Sequence, residues 1–312
     1  MLAPICLFTY NRIKETKKTV EYLKNNKLAN KSILFIFSDG AKDQNEIDTI
    51  LRVRKYLRTI NGFLKIKIIE RPSNYGLANN IINGVTKVLK TYEKIIVLED
   101  DLITGKYFLN FMNDALNLYE RNEKVISING YSYFSNENNE ETYFLKTADN
   151  LGWGTWKRGW ELFNEDGNEL LSQIKTKKLD YSFNRKNSYP FLKMLEEQVN
   201  GINDSWAIRW YASAFQKNKY TLYPKHSLVY HIGASKDATN YTKRSNDPLD
   251  VPLYNGKIKV EKTKVQEIEV LGKNYNKFLL KYKRSLFVRI LSKLNRMIPF
   301  IKLTNLRKTI ND

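Results

Sequence analysis

Short apolar runs alternate with longer helical patterns through the first 130 residues. The apolar runs predict strands near 3–9, 32–38, 65–70, 94–98 and 125–129, and helices near 14–26, 44–60, 77–91 and 105–121 between them. Ile33-Leu34-Phe35-Ile36-Phe37 is apolar without alternation, the pattern of a strand covered on both faces. Strands and helices in this order build a sheet with helices packed on it. The expected fold class is therefore α/β, with a mixed, mostly parallel sheet flanked by helices. Such sheets take ligands in the crevice beyond the carboxyl ends of their strands, so polar residues closing a strand are the first place to look for chemistry.

After residue 130 the regularity falls. A polar loop (136–141), an aromatic and glycine cluster (151–163), helices near 189–199 and 203–217 and a strand-like stretch at 220–231 lead into a polar, loop-rich segment from 235 to 266. Charge then changes the picture. The chain carries 52 Lys and Arg against 33 Asp and Glu, a net charge of +19, and residues 273–312 hold 11 of those bases with a single acid. This excess predicts attraction to phosphate-rich partners. With 312 residues, 42% of them hydrophobic, the chain can bury a large core, which excludes a disordered protein. The single cysteine, Cys6, lies in an apolar run, so neither a disulfide framework nor a cysteine zinc site is expected and a reducing, cytoplasmic setting is the default. Met1–Phe8 lacks a basic leader and is interrupted by Pro4, which favours a first strand over a signal peptide. No window has the run of about 18 uncharged apolar residues that spans a bilayer.

The strongest chemical signal is Ile95-Ile96-Val97-Leu98-Glu99-Asp100-Asp101-Leu102, an apolar strand running into three consecutive acids. Like charges repel there, and a divalent cation such as Mn²⁺ or Mg²⁺, which favours hard carboxylate oxygens, relieves the repulsion. Acids at the start of the following helix are the alternative reading. Thr9-Tyr10-Asn11-Arg12 closes the first strand with an arginine able to pair with a pyrophosphate. Phe37-Ser38-Asp39-Gly40 closes the second with a carboxylate able to accept from a base or ribose, and either residue could instead serve only a turn. Arg71-Pro72-Ser73-Asn74-Tyr75-Gly76-Leu77 opens the third helix with a turn-rich sequence whose amides could meet a substrate.

FTYNR, FSDG, RPSNYGLANNI and IVLEDDL, in this order and spacing, resemble the donor half of GT-A nucleotide-sugar glycosyltransferases, N-acetylglucosaminyltransferase I-like and bacterial family 2-like. The resemblance covers roughly residues 3–235. It implies a GT-A (Rossmann-like) domain over 1–235, with a donor half at 1–130 and an acceptor half at 131–235. It further implies that Arg12, Asp39 and Asn74 contact the nucleotide and that Asp101 binds the metal bridging the diphosphate. Glu99 and Asp100 then position ribose, sugar or metal-bound water. The expected donor is a nucleotide diphosphate sugar, UDP-linked, transferred with inversion by a hexosyltransferase-type reaction to a hydroxyl of a cell-surface glycan or lipid-linked glycan.

In the second half, Leu151-Gly152-Trp153-Gly154-Thr155-Trp156 resembles a Trp-Gly-rich segment of the bacterial members. There Trp153, Gly154 and Trp156 are expected at the acceptor sugar, since indoles stack on sugar rings; a buried aromatic cluster is the alternative. Asp204 in Asn203-Asp204-Ser205-Trp206 is either a helix cap or the catalytic base, the family's base resembling this acid-then-Trp arrangement. His231-Ile232-Gly233 resembles the stretch that brings a late histidine to the metal or diphosphate, with residues 235–247 as a lid within a 236–272 linker. In 273–312, bases interleave with Phe278, Leu279, Leu280, Leu286, Phe287 and Ile290, which describes an amphipathic helix for an anionic membrane surface. A terminal helix packed on the domain is the alternative. No nucleic-acid module accompanies it, so nucleic acid is not an expected partner. The expected location is cytoplasmic, peripheral on the inner face of the cell membrane. A nucleotidyltransferase would share the sheet and acids but needs a glycine-rich basic triphosphate loop near its start, and the chain has none. A non-catalytic basic binding protein is the remaining alternative, and intact acids at 99–101 argue against it.

Overall fold

A computed structural model describes residues 1–134, 140–233 and 248–297, with side chains described as far as Lys283. Its strands are β1 (Ile5–Thr9), β2 (Ile33–Ser38), β3 (Lys65–Glu70), β4 (Lys94–Glu99), β5 (Leu102–Thr104), β6 (Val125–Asn129), β7 (Thr142–Leu145), β8 (Trp153–Trp156), β9 (Tyr220–Pro224) and β10 (Val229–His231). The helices are α1 (Ile13–Lys24), α2 (Ile47–Leu57), α3 (Gly76–Leu89), α4 (Phe108–Leu118), α5 (Lys157–Trp160), α6 (Gly167–Thr176), α7 (Asp180–Phe183), α8 (Phe191–Val199), α9 (Trp206–Gln216) and α10 (Glu269–Met297).

Eight strands form one sheet in the order β3-β2-β1-β4-β8-β6-β9-β7, while β5 and β10 pair separately. Parallel pairing joins β3, β2, β1 and β4, and also β6 and β9; β8 runs antiparallel between β4 and β6. The sheet is thus the mixed, mostly parallel one expected. Strands β1, β2 and β4 are apolar on both faces because helices cover both, whereas the edge strand β3 alternates and leaves Lys65 and Lys67 exposed. Val20 and Leu23 of α1, Val53 and Leu57 of α2, and Phe108 and Met112 of α4 fill one side, while α3 and α9 fill the other.

Strand β8 corrects the reading of the tryptophans. Trp153, Gly154 and Trp156 are all buried as central strand residues, and period-two alternation sends the two indoles to opposite faces. Trp153 stacks on Trp206 at 5.4 Å between ring centroids, and the Trp156 indole N–H donates to the Leu116 carbonyl at 2.9 Å. Neither ring has a face left for a sugar, and Gly154 is bare because the Ile95 carbonyl and Met112 crowd its Cα. The aromatic run is core. The strand-like 220–231 stretch also divides, because β9 enters the main sheet while β10 turns away to pair with β5.

Helix α10 starts at Glu269, so a boundary at 273 falls within it. Leu271, Tyr275, Phe278 and Leu279 are buried against Tyr143, Leu145 and Tyr223 on β7 and β9. The apolar stripe of the first turns therefore faces protein, leaving Lys273, Lys277 and Lys281 in solvent. Residues 248–268 are likewise laid on the domain: the Tyr254 amide donates to Ser227 and Ile258 is buried. The lid expected at 235–247 lies outside the described residues.

Candidate active site

Strands β1, β2, β3 and β4 run parallel, so Tyr10–Arg12, Asp39, Arg71 and Glu99–Asp101 all emerge at one end of the sheet. Arg12, at the head of α1, bridges two acids: Nη2 lies 2.5 Å from Asp100 Oδ1 and Nη1 lies 2.9 Å from Asp101 Oδ2. The Tyr10 amide donates to Asp100 at 3.1 Å, and Thr19 Oγ1 donates to the Asp100 carbonyl at 2.8 Å. These contacts fix the turn after β4. Directly beyond it, β5 pairs with β10 in the register His231 to Leu102, and the Ile232 amide donates to the Asp101 carbonyl. That pairing carries His231 Nε2 to 3.3 Å from Asp101 Oδ2. Arg12 and His231, far apart in sequence, thus share the Asp101 carboxylate.

The three acids differ in their protonation. Burial, with the charges of Asp101 and Asp100 adding to it, pushes Glu99 up to about 8, although Asn150 hydrogen-bonds to it. Burial also raises Asp100, to about 6, against the attraction of Arg12. For Asp101 burial is overcome by the hydrogen bonds and charges of His231 and Arg12, which hold it at about 2. Asp101 is thus the acid whose surroundings most favour the carboxylate, whereas burial favours the protonated form of Glu99. A raised carboxyl in the folded state favours folding below its ordinary value of 4.5, and that contribution is lost as pH rises through about 8. Melting temperature should fall on alkalinisation across this window, and Glu99→Gln should flatten the fall; an unchanged slope in Glu99→Gln would mean that Glu99 does not carry the proton.

Asp39 is buried, and its carboxylate accepts from the amides of Gly40 at 2.9 Å and Tyr75 at 2.8 Å, with Asn74 Nδ2 at 3.4 Å. Asn74 also donates to the Gly40 carbonyl at 2.9 Å. These two expected donor contacts stand together, and both tie the turn before α3 to the end of β2. Arg71 was not singled out by the sequence. It is buried 4.6 Å from the Tyr75 ring centroid and 5.3 Å from that of Phe37, with Nε donating to Asn80 at 2.9 Å. Its Nη2 is buried without a hydrogen-bond partner among the described residues. The available signal was a basic residue closing a strand beside Asp39.

Asp204 reaches this end of the sheet by a different route. Strand β9 is parallel to β6, which is parallel to β4 because both oppose β8; α9 precedes β9, so its head lies at the carboxyl end of β4. The Trp206–Trp153 stack fixes that placement. The helix cap is Ser205, whose Oγ accepts from the Ile208 amide at 3.2 Å, and not Asp204. The Asp204 side chain is 65% exposed, with Arg209 Nη2 at 3.4 Å. Asp149, next to the Asn150 that meets Glu99, is ringed by hydroxyls: Tyr223, Tyr133 and Thr147 donate to it, while burial raises it above its ordinary value. Glu161 follows α5, whose Lys157 amide donates to Glu93 ahead of β4, so it lies at the opposite end of the sheet.

Among the described residues no group of three or more His, Cys, Asp or Glu side chains is arranged to hold a metal ion. Asp101 and His231 nonetheless suit one. An oxygen and an imidazole nitrogen 3.3 Å apart can share an ion that keeps its other positions for water and phosphate. A Cβ at Gly233 would overlap Asp101 Oδ2, so the bare glycine keeps the approach open.

No protein-family model matches the chain, and no curated protein matches it. Among the solved structures that resemble it, three do so at low TM-score. S. aureus TarS is 14% identical at a TM-score of 0.35, over 50% of this chain and 28% of that one. The mannosyltransferase PcManGT from Pyrobaculum calidifontis, in complex with GDP-Man and Mn²⁺, is 12% identical at 0.34, over 56% and 47%. UDP-glucose pyrophosphorylase complexed with UDP-glucose is 12% identical at 0.36, over 72% and 90%. The chain matches less than half the length of the first two.

Proposed function

We propose that the protein is a metal-dependent, inverting glycosyltransferase moving a sugar from a nucleotide diphosphate donor to a hydroxyl of a cell-surface or lipid-linked glycan. The observation that carries this reading is the convergence of Arg12, Asp100, Asp101 and His231 at the carboxyl end of β4. In this reading Asp39, Asn74 and Arg71 hold the nucleoside, and Glu99 and Asp100 set ribose and sugar. Asp101 and His231 hold Mn²⁺ or Mg²⁺, which when bound offsets charge on the departing diphosphate. Arg12 swings its guanidinium between the acids and that diphosphate. Asp204 takes the proton of the acceptor hydroxyl as its oxygen bonds to the anomeric carbon, and the sugar–phosphate bond breaks with its electron pair leaving on the diphosphate. A nucleotidyl transfer is disfavoured because only Tyr10, Asn11 and Arg12 stand between β1 and α1, with no glycine-rich loop.

The test is a panel of UDP- and GDP-linked sugars measured by thermal shift with and without Mn²⁺, since a ligand that binds only the folded state raises apparent stability. A metal-dependent shift with at least one donor is expected; none across the panel overturns the reading.

Membrane association belongs to the same proposal, now confined to the residues after Lys283, which hold seven Lys and Arg and one acid. Among the described residues no helix is long and apolar enough to cross a membrane. At about 1 kcal/mol per base near an anionic surface, ending the chain after Lys283 should release it from phosphatidylserine vesicles while it stays folded. Ending it after Gly272 should also unfold it, because Tyr275, Phe278 and Leu279 are core. Equal vesicle binding with and without residues 284–312 would place the attraction elsewhere.

A further inference from the structure

At the end of the sheet opposite the acids lies a cleft of about 450 Å³ that the proposed reaction does not use. Its position follows from the strands. Lys219 directly precedes β9 and donates to the Glu123 carbonyl ahead of β6, while Lys146 directly follows β7 beside Tyr220. Both therefore sit where β4 begins, not where Glu99–Asp101 end it. Lys177, Lys186 and Lys273 complete the rim, and Tyr211 and Phe215 contribute to the wall.

Five lysines line this one cleft, and the two acids beside them offset the charge only in part. Glu267 is taken by Arg185 in a two-pronged pair at 2.9 and 3.1 Å, while Glu269 pairs with Lys273, one of the five, at 2.7 Å and also feels the charge of Lys186. Lys177 and Lys186 are exposed, with no carboxylate within salt-bridge distance among the described residues. The wall is also held in an unfavourable backbone. Arg185, Lys186 and Asn187 have φ of 52°, 57° and 62°, three successive non-glycine residues in the left-handed region. The Arg185 contacts to Glu267 and Asn276 keep that turn in place. Backbone held this way concentrates at ligand sites, and here it presents Lys186 to the cavity.

We propose that this cleft is a second binding site for a phosphate-bearing anion, distinct from the donor site. The lysines supply point charges and rotatable donors for phosphate oxygens, and the volume suits a sugar phosphate or a short stretch of a phosphate polymer. The test is lysine acylation footprinting of the full chain at physiological salt with pyrophosphate, glucose 1-phosphate and long-chain polyphosphate. Protection of Lys146, Lys177 and Lys186, with Lys55, Lys87 and Lys90 labelling as before, supports the site. Protection by the small anions identifies a free metabolite-sized ligand; protection by polyphosphate alone identifies a polymer. The triple variant K146A/K177A/K186A should weaken binding of the protecting anion by about tenfold or more in calorimetry, consistent with loss of several charge-assisted contacts. The charge-matched K55A/K87A/K90A should bind as the parent does. Uniform labelling with every anion, or equal weakening in both triple variants, overturns the proposal and leaves only the general attraction of a basic protein.

Discussion

Asp101→Ala should abolish the Mn²⁺-dependent part of nucleotide-sugar affinity and lower turnover by about a thousandfold or more, the scale of several kcal/mol of charge stabilisation. Asp101 is singled out from its neighbours by its state. It alone of the three acids is held below its ordinary value, and His231 stands on the same oxygen that Arg12 touches. The variant should still fold, since Arg12 keeps Asp100 at 2.5 Å and is not left as an unpaired buried charge. His231→Ala should produce a weaker form of the same defect, with metal affinity reduced and metal-free binding unchanged. Calorimetry with donor, with and without Mn²⁺, reads both variants. Parental metal dependence in Asp101→Ala would mean that the ion is held by other groups and that Asp101 is not its ligand.

The first half of the fold was legible because its strands are short, apolar-rich runs of five or six residues bounded by polar turns, β1 and β2 nearly unbroken and β3 alternating lysine with isoleucine. Periodicity finds such runs, and all five predicted strands of that half are present within a residue or two. Strands β7 and β8 were missed for a physical reason. They are four residues long, and Trp153-Gly154-Thr155-Trp156 carries a glycine and two indoles, a composition shared by ligand platforms and buried strands. Only pairing with Lys94–Val97 on one side and Ser127–Asn129 on the other decides between them, and pairing is not local. Gly152 belongs to the same story: its φ of 65° lets the chain turn into β8, and its carbonyl accepts from the Gly130 amide at 2.7 Å. The acid cluster was visible as sequence, but its partners were not. That Arg12 bridges Asp100 and Asp101, and that β10 delivers His231, depends on contacts spanning up to 130 residues. Arg71 escaped for the complementary reason, because a single arginine in a turn carries no pattern until its guanidinium is seen between two rings.

Asp204→Asn should lower turnover by about a hundredfold or more, the scale of general-base catalysis, while leaving donor affinity near the parental value. The two effects separate because of how α9 begins. Ser205 caps the helix, so loss of the Asp204 charge removes only a 3.4 Å contact to Arg209, which keeps its bond to the Glu165 carbonyl at 3.2 Å. Structure and stability should therefore barely change, and Ser205→Ala should show the reverse pattern, a loss of about 1 kcal/mol of stability with turnover retained. A carboxylate at the head of α9 stands at the same end of the sheet as Asp101 yet touches none of the donor-side residues. Under the proposed inverting reaction, that position suits a base meeting an acceptor that approaches from the side away from the diphosphate. Near-parental turnover in Asp204→Asn would pass the role to Asp149. That carboxyl sits beside the Asn150 that meets Glu99, and Asp149→Asn would then be the variant to show the loss. Glu161 would not inherit the role, because Lys157 ties α5 to the far end of β4.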